Sequence, residues 1–426
     1  MRIFATILLF GQLLMATTLH YININGVQVP LVYEHDTRLP LVSTQLVFRN
    51  SGSLQDGDLN GLASMSAKLL NEGTLKRGNE GFAEALDAKA IHLSTHVGSE
   101  TLVMEMGSLK EEFAEATTLL HELLQAPNYN DKVLQKIKTT TAGSLQRKES
   151  DYDYVANVAL KSLIFKGTPL ANPSVGTLES IKKIKLKEVE SFVSSHLVLE
   201  RLILVVGGDI SLEEATQYFQ EILKEMPKGE AGTLVFYPTI PKPKSETLIR
   251  KTEQAYIYFA SPYAMKVGDE DYYKARVATF ILGTGGFGSR LMEEIRVKRG
   301  LAYSAYARVS VNQSHSYMMG YLQTKLESLD EAQKTVNEVI AKFVKEGVTQ
   351  EELDQTKRFL LGSEPLRTET LSQRLSRSYM EFYKGETLGS SVKELDMIRD
   401  LTLNDLNSYI KQHKEILELS YAIVKD

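Results

Sequence analysis

The sequence contains no cysteine, which excludes structural disulfides, thiolate-bound zinc and cysteine nucleophiles together. Any metal must therefore be held by His, Asp or Glu. An excess of positive charge is also missing. Lys and Arg number 49 against 54 Asp and Glu, a formal net charge of -5, so no general attraction to phosphate backbones is expected and nucleic acid is not an anticipated partner. Glycine and proline are scarce enough, at 28 and 11 residues, to exclude a collagen-like or low-complexity chain. No Gly-x-Ser-x-Gly elbow is present, and no Ser-x-x-Lys stands in a setting that suggests a nucleophile.

What is present is an ordinary globular composition of 426 residues, which at roughly 100 to 200 residues per domain predicts two to four domains. The first positional signal is at the N-terminus. Met1-Arg2 precedes an apolar stretch from Ile3 to Met15 that Thr17, Thr18 and His20 bring to an end. This has the charged start and short apolar core of a bacterial secretory signal peptide, and it is shorter than the ~20 residues of a membrane span. Residues 1–18 are expected to be cleaved near Ala16 to Thr18, leaving no stable span and sending the chain to a periplasm or beyond. A retained anchor or a buried apolar start is the alternative. A lipid anchor is excluded because no Cys follows.

The remainder reads as two copies of one unit. Ile181 to His196 aligns without a gap on Ile398 to His413, at an offset of 217. Each copy continues into an apolar strand, Leu202–Val206 in one and Leu419–Val424 in the other. At an offset of 216, Phe113, Ala116, Leu120, Leu123 and Leu124 fall on Leu329, Ala332, Val336, Val339 and Ile340, the apolar positions of a helix. At 219, Leu134, Lys138, Gly143 and Ser144 fall on Leu353, Lys357, Gly362 and Ser363. Between the halves, three prolines lie within Pro238 to Pro243, which forbids helix and favours an extended linker. The expected division is 19–232 for the N-terminal domain, 233–246 for the linker and 247–426 for the C-terminal domain. Strand-like alternation at Leu41–Phe48 and Ala255–Ala260, with helical patterns following, predicts an α+β fold in which each half is an antiparallel-rich sheet with helices packed on one face.

Candidate chemistry is sparse. His92 and His96 would share a face on a helix, but their segment alternates like a strand, where residues four apart lie roughly 13 Å from each other and cannot share one ion. The glycine-rich stretch Gly283, Gly285, Gly286 and Gly288 lacks the Lys-Ser/Thr of a phosphate loop. It is either a flexible connection or a backbone surface that something approaches closely. Arg290 to Arg299 reads as a helix stopped by Gly300, and Leu301 to Tyr306 as the strand after it. Arg296 and Tyr303 are then close enough to converge, and a guanidinium and a phenol together can donate to a polarised carbonyl or its oxyanion. Structural roles for both are the alternative.

The segment from Gly285 to Tyr303 resembles the C-terminal-half signature of the pitrilysin/insulinase superfamily of zinc metallopeptidases, in the branch of mitochondrial processing peptidase. The likeness extends to the strand Val42–Phe48, to Gly61-Leu62-Ala63 opening a helix, to Lys166–Leu170, to Gly176–Ile181 and to the strand end at Gly207–Asp209. It implies a duplicated α+β architecture forming one half of a clamshell. In catalytic members the Gly-Leu-Ala helix carries His-x-x-Glu-His, two zinc ligands around a general base. Here Ser64 and Lys68 replace the ligands and Ala67 the base, and the third ligand's position, near Ser144 or Leu145, has no carboxylate around it. The resemblance implies that this chain binds no catalytic zinc or other cofactor. It also implies that Arg296 and Tyr303 serve in trans, as in the metal-free subunit of heterodimeric relatives, with the glycine-rich segment touching substrate. The expected assembly is a secreted, zinc-free subunit paired with a zinc-bearing homologue that cleaves extended peptides. An inert structural or assembly protein of the same fold is the alternative.

Overall fold

A computed structural model describes residues 17–426. Most of the expected signal peptide, residues 1–16, lies outside the described residues, while Thr17 and Thr18 already belong to the folded unit. The N-terminal half is built on a six-stranded sheet of β1 (Thr18–Ile24), β2 (Val27–His35), β3 (Leu41–Arg49), β4 (His92–Val97), β5 (Thr101–Leu109) and β6 (Leu202–Gly208), in the order β1-β2-β6-β3-β5-β4. The C-terminal half has five strands, β7 (Ser245–Ile249), β8 (Gln254–Pro262), β9 (Ala302–Val311), β10 (Ser316–Lys325) and β11 (Ser420–Lys425), in the order β7-β11-β8-β10-β9. All pairings are antiparallel except β2 with β6 and β7 with β11. The α+β fold with two antiparallel-rich sheets is as the patterning predicts. Residues 227–244 carry neither helix nor strand, and Ser245 and Glu246, expected in the linker, open β7 instead.

The repeat is visible in space. The helices Leu186–His196 and Leu403–Gln412 bury equivalent side chains, Val189, Phe192 and Val193 in one and Leu406, Tyr409 and Ile410 in the other. Each half's own helices cover one face of its sheet. The opposite face is covered by a single helix from the other half. Tyr152–Ile164 places Ala156, Leu160 and Ile164 against Tyr258, Ala260, Tyr317, Met319, Ala422 and Val424 of the C-terminal sheet. Leu371–Tyr383 places Leu375 against Val32, Val47, Val103, Ile203 and Val205 of the N-terminal sheet. These crossing helices are themselves repeat equivalents, since 371 - 152 = 219 is the offset relating Leu134 to Leu353. Side chains such as Leu160 and Ile164, 1% and 2% exposed, stabilise the exchange by roughly 1.5–3 kcal/mol each.

Two buried polar clusters add to this exchange. Arg374, on the crossing helix, donates from Nε to Glu34 Oε1 at 2.7 Å and from Nη2 to Asp36 Oδ2 at 2.7 Å. Arg38 hydrogen-bonds Asp36 as well, and holds its carboxyl well below the usual range against the opposing effect of burial. Buried Glu100 accepts from the backbone N–H and the hydroxyl of Ser314 at 2.8 and 2.6 Å and from the Tyr383 hydroxyl at 2.7 Å. Among the described residues no helix is long and apolar enough to cross a membrane.

Candidate functional site

The helix Leu62–Leu70 begins at Gly61, whose φ of 96° is left-handed. Asp56 caps it, accepting from the N–H groups of Gly61 and Ala63, both at 2.7 Å. Burial raises Asp56 to about 7, against the lowering effect of those two donors. Ser64 and Ala67 are buried on this helix. Lys68 reaches across to the helix Asp131–Lys148 and donates to Thr141 Oγ1 at 2.8 Å. Thr141 is therefore the residue that meets Lys68; Ser144, named from the sequence for the third-ligand position, lies about one turn further along. Burial, reinforced by the Lys148 charge, lowers the Lys68 ammonium from its ordinary value. A serine, an alanine, an ammonium and a threonine are not a donor set for zinc, so the residues at this site do not fit the metal.

His92 and His96 lie exposed on β4, His92 beside the Ser94 hydroxyl and His96 3.9 Å from Glu105. Among the described residues no group of three or more His, Asp or Glu is disposed to hold a metal.

The second region is organised around two π-turns. Phe280–Thr284 forms one and Glu293–Val297 the other, the latter continuing a single α-turn, Arg290–Met292. Where a regular helix is expected, Lys298 N–H thus bonds Glu293 C=O five residues back, at 2.9 Å. Such widened turns recur at functional sites because they re-aim side chains. Gly283 is buried, and a Cβ there would lie 2.3 Å from the Ala307 backbone nitrogen. The close approach that its sequence context suggests is therefore made by β9 of the same chain, and Gly283 does not face a ligand. Gly285 is half-buried, and Gly286 and Gly288 are exposed.

The structure does bring Arg296 and Tyr303 together. Arg296 ends the second π-turn and Tyr303 stands near the start of β9, an edge strand. The guanidinium carbon lies 4.2 Å from the Tyr303 ring centroid and 4.5 Å from that of Phe287. Its cationic neighbours are paired: Arg290 with Glu352 at 2.6 Å, and Lys298 and Arg299 with Glu294 at 2.7 and 2.5 Å. Among the described residues Arg296 has no carboxylate partner. Tyr303 is 81% exposed and Phe287 65%. With two aromatic rings this close and no carboxylate bonded to it among the described residues, the guanidinium keeps N–H groups for an incoming acceptor. Those groups and the exposed phenol can hold a carbonyl oxygen or the oxyanion derived from it. Phe287 is not singled out by the hydrophobic pattern; its signal in the sequence is an aromatic residue flanked by glycines.

Comparison with known proteins identifies the family and the fold. Residues 31–178 match the insulinase (peptidase family M16) profile and residues 183–360 the profile of the peptidase M16 inactive domain. The chain is 42% identical to the non-peptidase homolog YmxG of Helicobacter pylori, over 100% of this chain and 99% of that one. It is 21% identical to the beta subunit of mitochondrial-processing peptidase of Saccharomyces cerevisiae, over 75% of this chain and 71% of that one. A peptidase M16 inactive domain of known structure from Pseudomonas fluorescens superposes with a TM-score of 0.89 at 24% identity, covering 96% of this chain and 97% of that one. The chain belongs to the insulinase (M16) peptidase family, and it carries the family fold without the residues of the zinc motif.

Proposed function

We propose that this chain is the zinc-free subunit of a two-chain peptidase. The partner is a homologue bearing His-x-x-Glu-His, which would supply the zinc, the attacking water and the general base. The observation that carries the reading is the Arg296–Tyr303 pair, a guanidinium without a carboxylate partner among the described residues against a largely exposed phenol. In this role Arg296 donates its N–H edge to the scissile carbonyl, and the Tyr303 hydroxyl donates beside it as charge develops on that oxygen. Extended peptide would dock by adding a strand to a sheet edge, and β9, which carries Tyr303, is an edge strand. The chain is exported by the segment ending near Ala16, to a bacterial periplasm; a cut there leaves β1 whole.

A second reading, an inert structural or assembly protein, is favoured by the name of the Helicobacter pylori relative, a non-peptidase homolog. Co-expression with the His-x-x-Glu-His homologue of the same genome separates the two. The two-chain reading expects peptidase activity only from the pair, and Arg296→Ala to lower turnover by about 100-fold without loss of partner binding. Unchanged turnover in that variant, or an inactive but stable pair, establishes the structural role instead.

A further inference from the structure

We propose that Phe287 is a positioning residue, held by the glycine-rich segment so that its ring fixes the plane of the Arg296 guanidinium. The segment is thus a mount for this ring. Gly283 anchors one end beneath β9. The tip is closed by Ser289, which is 1% exposed and donates to Gly286 C=O from its backbone N–H at 2.9 Å and from its hydroxyl at 2.8 Å. Gly286 has φ +60° with nothing near its would-be Cβ, so it provides the left-handed reversal that lifts the next side chain outward. That side chain, Phe287, buries little of itself and touches Arg296, which has no carboxylate partner among the described residues. A large apolar ring held outward on a hydrogen-bonded tip has no packing role to explain it. Contact with Arg296 does explain it: Phe287 and Tyr303 both lie against the guanidinium, so its N–H edge is presented without an acidic residue, whose charge would repel a developing oxyanion.

The contact itself can be tested on this chain alone; its effect on turnover rests on the two-chain reading above. Phenylglyoxal modification of Arg296, followed by peptide mass mapping with Arg290 and Arg299 as internal references, reads how well the ring shields the guanidinium. Phe287→Ala should speed modification of Arg296 about three- to fivefold and leave the reference arginines unchanged, while Phe287→Tyr keeps the native rate. In the pair with the zinc-bearing homologue, Phe287→Ala should lower kcat about tenfold with KM little changed, and Phe287→Tyr should restore it where Phe287→Leu does not. An unchanged modification rate in Phe287→Ala overturns the proposal. Faster modification with unchanged kcat overturns the positioning role. If the wild-type pair is inert, the two-chain reading fails and the modification rates alone decide whether the ring holds Arg296.

Discussion

Arg374→Met removes the cation that a crossing helix brings to the far face of the N-terminal sheet. Glu34 is 1% exposed and is hydrogen-bonded by the Arg374 guanidinium and the Thr17 hydroxyl, each at 2.7 Å. Asp36 is better protected, because Arg38 stays on it at 2.9 and 3.0 Å. The cost therefore falls on Glu34, a carboxylate left buried with one neutral donor. Breaking a buried pair by removing one partner costs about 3–5 kcal/mol, and the surviving hydroxyl places this case near 3 kcal/mol. For 426 residues unfolding as one unit, an unfolding entropy of about 0.9 kcal/mol/K converts that to a fall in Tm of roughly 3 °C. Because the chain has no tryptophan, far-UV circular dichroism under urea is the suitable assay. Adding Glu34→Gln should return about 2 kcal/mol, since the unpaired charge and not the lost packing carries the cost. A loss below about 1 kcal/mol in Arg374→Met, or a double variant no more stable than the single one, would refute the reasoning.

Lys68→Met should raise the urea midpoint at pH 7, because burial penalises the ammonium and methionine fills the same space. The folded-state pKa of Lys68 is lowered, so its penalty is fully present below that value and fades as pH rises toward the unfolded value near 10.5. Urea titrations at neutral and alkaline pH should show the two proteins converging, and a constant gap would count against burial as the cause. Asp56 behaves oppositely: raised to about 7, it contributes stability that is full below its unfolded pKa of 3.8 and is lost as pH climbs through 7. Asp56→Asn should flatten the dependence of the urea midpoint between pH 4 and 8, and an unaltered slope would show that another group titrates there.

The candidate site was only partly legible. Arg296 and Tyr303 could be paired from their spacing because a turn and the strand after it are local, and the vacated zinc positions could be read because they occupy consecutive turns of one helix. Thr141, not Ser144, meets Lys68 because which turn of one helix faces another depends on how the two helices cross. The π-turns escaped notice because one extra residue in a turn leaves the apolar pattern almost unchanged while it re-aims the side chains beyond it.

The sequence by itself determined the duplication, the alternation of strand and helix patterns, the extended linker and the loss of zinc ligands, all properties of residue type and spacing. Tertiary structure alone decided that the two halves exchange helices. A trace of this was present: Leu202, Leu204 and Val206 face the core of their own half, while Ile203 and Val205 face the helix supplied by the other. An uninterrupted apolar run means that both faces of a strand are covered. It cannot say by what, because burial is a demand any apolar surface can meet, and only chain connectivity and distance select the helix Leu371–Tyr383. The contact of Phe287 with Arg296 was decided in the same way, since the reversal at Gly286 sets its direction and nothing in the hydrophobic pattern records it.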